Sequence, residues 1–198
     1  FIDNEKISIS KFMETVETPS KLLTIANEYS DFVNYFDVVL IKRSIDFELS
    51  RSGQIFFVHN NISSILSIKS YLERLCPYLR VLVAHSKVGS KTLKEHLFLF
   101  VNKKVDMLLC TSIIGSGIDI PNANTIIVNS AHRFGLGQLH QIRGRVGRSN
   151  RQGYAYLLVP KETRLTPSSK KRLKTIEQNV SLGSGYHIAK SDLKIRGG

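Results

Sequence analysis

Short apolar segments rich in β-branched residues alternate with amphipathic helical patterns along most of this 198-residue chain. Parallel strands need crossover connections, so this alternation predicts an α/β fold in which helices cover both faces of a parallel sheet. The predicted strands span residues 21–27, 54–59, 80–84, 105–111, 125–129 and 154–159, and the predicted helices span residues 31–51, 63–75 and 90–101. Asp31 is predicted to cap the first helix, and Ser52-Gly53 to end it.

The pattern changes after Pro160. Residues 163–167 are predicted to form a linker, and residues 168–178 a basic helix capped by Ser168 or Ser169. A turn at 182–185 and a short helix at 186–191 are predicted to follow. This segment has too few apolar residues for a core of its own, so we expect a helical hairpin packed on the main domain or on a partner. The predicted organisation is a tail of a preceding region over residues 1–16, an α/β domain over 17–160, and a truncated hairpin over 161–198.

The chain is strongly basic, with a net charge of +12. Most of the excess lies after residue 140, where thirteen Lys and Arg face three acidic residues. Such a field predicts a polyanionic partner. Cys76 and Cys110 lie in apolar runs without metal-ligand spacing, so we expect buried, reduced thiols. No apolar run approaches the length of a membrane span and no signal peptide is evident, which predicts a cytoplasmic protein without a membrane partner.

Residues 141–148 (QIRGRVGR) place three arginines and a glutamine around two glycines. A guanidinium group offers a planar fork of donors that can grip phosphate oxygens, and the adjacent glycines allow close approach. This arrangement suits an arginine finger, which stabilises the charge that develops during γ-phosphoryl transfer. The alternative is a basic surface loop that binds any polyanion.

A second candidate segment, residues 111–121 (TSIIGSGIDIP), follows a predicted strand. The hydroxyl of Thr111 and nearby amides are suited to a nucleic-acid phosphate, and Gly117 allows a tight turn. Asp119 has the chemistry to accept from a ribose hydroxyl or to orient an arginine; alternatively it caps its own backbone. Ligands of parallel sheets gather at the carboxyl ends of strands. We therefore predict one composite site from the residues that follow strands, namely His59-Asn60, His85, residues 111–119 and the cluster around Arg145.

These segments resemble known motifs. Residues 111–121 resemble motif V, and 141–148 motif VI, of superfamily 2 helicases and translocases, and 54–60 are similar to the motif IV strand. Residues 122–128 and 133–149 resemble bacterial transcription-repair coupling factors and RecG-like branch-migration helicases, whereas 117–125 and 181–189 favour the former. Residues 171–173 and 192–197 resemble the hairpin that both families place after motif VI.

Two segments depart from that pattern. Gly115 stands where a glutamate is usual. Ser86-Lys87-Val88 follows His85 in place of the usual Gly-Gln-Met, and Ser90, Thr92 and Lys94 replace acidic residues.

The resemblance implies a RecA-like helicase C-terminal domain that serves as the second motor domain of an ATP-dependent double-stranded DNA translocase. It also implies that ATP with Mg²⁺ is bound mainly by a first motor domain. The implied site residues are Arg145 and Arg148 for catalysis, Gly117, Asp119 and Gln141 for the nucleotide, and His85, Thr111 and Arg172 for DNA. The implied partners are duplex DNA, the stalled RNA polymerase that the translocase displaces, and the excision-repair proteins that it recruits.

The sequence contains no G-x-x-x-x-G-K-[ST] phosphate loop. An arginine finger without a nucleotide cradle has nothing to act on, so we predict that this chain alone does not hydrolyse ATP. Two alternatives to the coupling-factor function stay open, a RecG-like branch-migration helicase and a non-catalytic nucleic-acid-binding module.

Overall fold

The computed structural model describes residues 35–112, 120–147, 151–159 and 165–179. Within them lies a five-stranded sheet of order β2-β3-β1-β4-β5 in which every pairing is parallel. The strands are β1 (Gln54–Val58), β2 (Val81–Ala84), β3 (Met107–Cys110), β4 (Ala123–Val128) and β5 (Tyr154–Leu157). All five were predicted to within three residues at each end, and the predicted strand at 21–27 lies outside the described residues.

Among the described residues, five α-helices accompany the strands: α1 (Tyr35–Ser50), α2 (Ile65–Leu75), α3 (Ser90–Val101), α4 (Leu136–Arg143) and α5 (Pro167–Gln178). The predicted end of the first helix is confirmed, with Ser52 in the left-handed region at φ 56°. The predicted cap of α5 is wrong. The N-terminal cap of α5 is Thr166, whose hydroxyl accepts a hydrogen bond from the Ser169 amide. Pro167 follows it in the first turn of the helix.

Helix α4 was not predicted. Leu136, Leu139 and Ile142 are spaced as on one helical face and are buried against the sheet. The Gln138 side chain accepts from the Gly135 amide at 3.0 Å, which fixes the first turn. The arginine run therefore begins on the last turn of a helix and not, as predicted, at a strand end.

Two apolar clusters lie on opposite faces of the sheet, because alternate residues of each strand point to opposite faces. Ile55 and Phe57 pack with α1 and α2, whereas Phe56 and Val58 pack with α3, α4 and Ile176 of α5. The described part of the segment after Pro160 therefore packs on the main domain.

Both cysteines are free and buried, as predicted. Across the part of the chain that the structure describes, every helix is too short or too polar to span a bilayer.

Candidate functional site

The carboxyl ends of four strands, β1 to β4, are held in register by hydrogen bonds that continue one residue beyond the strands. The His59 amide donates to Cys110 O at 2.8 Å, and the Asn129 amide donates to Val58 O at 2.9 Å. The Thr111 amide donates to Ala84 O, the residue before His85, at 3.3 Å. The predicted gathering of His59, Thr111 and His85 at one edge of the sheet is thus observed.

His59 is buried and uses both ring nitrogens. The Asn129 side-chain amide donates to Nδ1 at 3.1 Å, so the ring proton lies on Nε2 and is donated to Ser64 Oγ at 2.8 Å. Burial, and then the positive charge of Arg133, lower the pKa of His59. This neutral imidazole joins the end of β1 to the end of β4.

Asn60 extends the same edge toward β3. Its side-chain oxygen accepts from Ser112 Oγ at 3.2 Å, which ties the residue after β1 to the residue after Thr111. These contacts order the edge around Thr111 without using the Thr111 side chain.

Thr111 is 4% exposed, and its hydroxyl oxygen is buried without a hydrogen-bond partner in the described structure. Leaving such a group unpaired costs about 1–3 kcal/mol, so an unpaired hydroxyl at the end of a strand calls for a functional explanation. The predicted contact with DNA would supply this partner, because a phosphate oxygen can accept a hydrogen bond from the Thr111 hydroxyl.

Arg145 lines the same cleft as Thr111. The other described lining residues are Phe56, Val58, Cys110, Ser112, Ile126 and Ile142. The Nε atom of Arg145 is buried without a hydrogen-bond partner. Within the described ranges no carboxylate contacts the Arg145 guanidinium group. A cation held unpaired in an open cleft has the chemistry of an anion site.

The backbone around Arg145 explains how the side chain is presented. Its amide donates to Ile142 O at 3.1 Å, which continues the turn at the end of α4. Two residues later Gly147 adopts φ 76°, a conformation that favours glycine. A Cβ on Gly153 would lie 2.6 Å from the Gly147 amide nitrogen, so the two glycine backbones are in contact.

Two other predicted residues are placed but lie outside the lining of this cleft. Gln141 is exposed on the last turn of α4. His85 is half-buried after β2, where its Nδ1 accepts from the Lys87 amide at 3.2 Å. Arg148, Gly117 and Asp119 lie outside the described residues.

Arg172, predicted to bind DNA, is bound within the chain. Its guanidinium group donates to Ser168 Oγ at 2.8 Å, to Ser169 Oγ at 3.0 Å and to His132 O at 3.0 Å. These bonds fasten α5 to the turn that precedes α4.

Arg143 is one of the three arginines that the sequence groups as suited to phosphate, but in the structure it binds backbone carbonyls of the chain itself. It donates to Ile176 O at 3.0 Å and Asn179 O at 2.7 Å, and so binds the carbonyl end of α5. Burial lowers the pKa of Arg143. The apolar spacing of α4 was the signal that would have placed Arg143 on a helix and Arg145 beyond it.

The described residues contain no group of three or more His, Cys, Asp or Glu side chains placed to hold a metal ion.

Comparison with known protein families matches residues 37–150 to the helicase conserved C-terminal domain. The transcription-repair-coupling factor of Myxococcus xanthus is 48% identical over 166 residues, which cover 84% of this chain and 14% of that protein. The coupling factor of Helicobacter pylori is 42% identical over 195 residues, 98% of this chain and 19% of that protein. The chain thus spans less than a fifth of either relative.

Solved structures show the same architecture. The structure of RecG bound to a three-way DNA junction matches with a TM-score of 0.69 and 32% identity, over 81% of this chain and 21% of that one. Domain 2 of the Mss116p DEAD-box helicase, bound to an RNA duplex, matches with a TM-score of 0.59 over 90% of this chain and 66% of that one. At 18% identity that second likeness concerns the fold alone. The predicted RecA-like parallel sheet with flanking helices is confirmed.

Proposed function

The chain belongs to the helicase conserved C-terminal domain family, and from this premise we propose that it is the second motor domain of an ATP-dependent translocase on double-stranded DNA. The observation that carries the proposal is the cleft shared by Arg145 and Thr111. Each of them holds a buried polar atom without a partner among the described residues. Phosphate oxygens can accept from both groups, whereas an apolar ligand would leave both unpaired.

In this proposal Arg145, together with Arg148, reaches the γ-phosphate of a nucleotide, and Gln141, Gly117 and Asp119 lie beside it. ATP with Mg²⁺ is held mainly by a first motor domain, because this sequence lacks a phosphate loop. The lack of a carboxylate around Arg145 in the described structure supports this role, since its charge is left for an anion.

DNA is proposed to bind at the strand ends. Thr111 would donate its hydroxyl to a backbone phosphate and His85 would lie beside it, while the basic hairpin with Arg172 would transmit movement. Such contacts recognise phosphate rather than base, so binding is expected to be independent of sequence and steeply dependent on salt.

The common cleft supports a mechanical coupling. Ile142 lies at the end of α4, packs in the same apolar cluster as Phe56 and Cys110, and is three residues from Arg145. Thr111 follows Cys110 directly. A movement of this domain that brings Arg145 toward a nucleotide therefore carries Thr111, and the DNA strand it holds, in the same direction.

The central experiment replaces Arg145 with Ala in the full-length protein that contains this chain. DNA-stimulated ATP hydrolysis is expected to fall about 1000-fold, the range for loss of an arginine finger, while the Kd for duplex DNA stays the same. Arg80→Ala is the matched control, because it removes an arginine that is paired with Asp106 away from the cleft. Unchanged hydrolysis by the Arg145 variant, or no hydrolysis by the parent protein, would contradict the motor proposal and favour a binding module.

The finer function we propose is displacement of stalled RNA polymerase and coupling of transcription to excision repair, in line with the names of the relatives at 42–48% identity. The likeness to RecG supports branch migration as a second candidate. ATP-dependent release of a stalled polymerase from its template would favour the first, and ATP-dependent movement of a three-way junction would favour the second.

A further inference from the structure

Arg51, in the turn between α1 and β1, is bound through all three guanidinium nitrogens. Nε donates to Glu48 Oε2 at 3.0 Å and a terminal nitrogen contacts the same oxygen. The other terminal nitrogen donates to Gln152 O at 2.8 Å. The rings of Phe47 and Tyr154 lie 5.0 and 5.1 Å from the guanidinium carbon, so the group is also held on its faces.

The carboxylate that holds Arg51 is itself fixed. Glu48 is fully buried, and its Oε2 also accepts from the hydroxyl of Thr125 on β4. A Cβ on Gly53 would lie 1.6 Å from Glu48 Oε1, so this position has room for the carboxylate only because it is glycine. The Arg51 side chain is therefore bound to a buried carboxylate of α1 that is in turn bound to β4.

The other partner of Arg51, Gln152, belongs to residues 151–153, the return segment that leads into β5. Gly153 follows Gln152 and its backbone touches that of Gly147, two residues after Arg145. A second bond runs the other way, since Arg151 donates to Arg51 O. The return segment is thus fastened to Arg51 one residue away from the contact between the two glycines.

From these contacts we infer that Arg51 is a positioning residue for Arg145. This inference rests on the proposed function, because it gives Arg51 a role in hydrolysis through Arg145 alone. Arg51 is not among the described lining residues of the cleft. It acts through Gln152, Gly153 and Gly147, and it holds the end of α4 at a fixed distance from β5.

The role depends on the shape of the guanidinium group. Its planar fork binds Glu48 with two nitrogens and Gln152 with the third. A lysine would keep the charge opposite Glu48 but offers one compact ammonium group, which cannot reach both partners. Arg51→Lys is therefore expected to fold, to keep an ion pair with Glu48 and to lose the bond to Gln152.

The experiment measures ATP hydrolysis by the full-length protein with Arg51→Lys, Arg145→Ala and both changes together. Arg51→Lys is expected to lower kcat roughly 10- to 100-fold, the effect of a small misplacement of a reacting group, with the KM for ATP and the Kd for DNA unchanged. In the Arg145→Ala background the same change is expected to have no further effect, because the group that Arg51 positions is gone. Arg80→Ala, with its ion pair in another part of the fold, is expected to leave kcat unchanged in either background.

Three outcomes are distinguishable. Unchanged hydrolysis by the Arg145 variant would overturn the proposed function itself. Loss of hydrolysis by that variant, with an unchanged kcat for Arg51→Lys, would overturn the positioning role alone. The same fold-decrease from Arg51→Lys in both backgrounds, accompanied by a lower Tm, would also overturn it and would assign Arg51 to the stability of the fold.

Discussion

The arginines of this domain are used in two different ways. Away from the cleft, Arg51 is bound to buried Glu48, and Arg80 is bound to Asp106 by its side chain and its own amide. In the cleft, the Nε atom of Arg145 and the hydroxyl oxygen of Thr111 are buried and have no hydrogen-bond partner among the described residues. A paired arginine stabilises the positions of the elements it joins, whereas an unpaired one keeps its charge available to a ligand. The first region stabilises the fold, and under the proposed function the second is the region that binds phosphate.

The largest effect on stability is expected from Glu48→Ala. This change leaves the charge of Arg51 without its buried partner and should lower the free energy of unfolding by about 3–5 kcal/mol. Glu73→Ala is the control, because Glu73 is 43% exposed in its pair with Lys69 and should cost less than about 1 kcal/mol. Urea denaturation with an unchanged m-value measures both. Equal losses would show that the buried pair is no more structural than a surface pair.

A matched pair of threonines tests the comparison directly. Thr125 donates its hydroxyl to Glu48, so Thr125→Val should lower the free energy of unfolding by about 1.5–3 kcal/mol. Thr111→Val removes an unpaired hydroxyl and should leave that free energy unchanged or raise it by up to about 1 kcal/mol. The Thr111 variant should instead bind duplex DNA more weakly, as gel shift at fixed salt would show. A clear loss of stability for Thr111→Val would mean that the cleft is structural as well.

The pH dependence of the free energy of unfolding tests whether His59, at the carboxyl end of β1, is neutral in the folded protein. His59 has a lowered pKa in the folded state, so the unfolded state binds more protons below about pH 6.5, the ordinary histidine pKa. The free energy of unfolding should therefore fall as the pH drops through that value, by at most about 1.4 kcal/mol per pH unit from this group. His132 and His140 also have lowered pKa values, so His59→Gln should reduce the slope without removing it. An identical slope in the variant would show that His59 is not held neutral.

The smallest effect is expected from Arg80→Ala. Arg80 is 58% exposed, so its pair with Asp106 is screened by water and should contribute less than about 1 kcal/mol at neutral pH. Although burial opposes the shift, the hydrogen bonds and charge of Arg80 hold the pKa of Asp106 below its usual value. The contribution should therefore be present above the unfolded pKa and disappear as the pH falls through the folded one. A loss similar to that of Glu48→Ala would remove the distinction between exposed and buried pairs.

Local patterns predicted most of the elements because each depends on neighbours in the chain. The strand at Gln54–Val58 contains four apolar residues in a row after Gln54, and Ser90–Val101 repeats its apolar positions at helical spacing. Helix α4 was not predicted, because its sequence is short and contains a glycine, Gly137, in its first turn. The cap of α5 was misplaced by two or three residues because several neighbouring side chains have the same capping chemistry.

The candidate site was predicted in part for the same reason. Motif resemblance and strand ends predicted that Thr111 and Arg145 belong to one composite site, and the structure places both at one cleft. The roles of Arg143 and Arg172 in fastening α5 were not predicted, because their acceptors are backbone carbonyls 33 to 40 residues away. Every residue has a backbone carbonyl, so the sequence does not indicate which one will accept a hydrogen bond from a distant arginine.

By itself the sequence determined the class of fold, the positive field and the residue types that suit phosphate, because hydropathy, charge and side-chain chemistry are properties of each residue and its neighbours. Only the tertiary structure decided which of these residues are available. Arg51 is bound by a carboxylate, and the terminal nitrogens of Arg172 are bound by other groups of the chain, whereas the Arg145 side chain has no hydrogen bond or ion pair among the described residues and lies in a cleft beside Thr111. The physical reason is that pairing depends on distance in space, and folding brings together groups that the chain separates by dozens of residues.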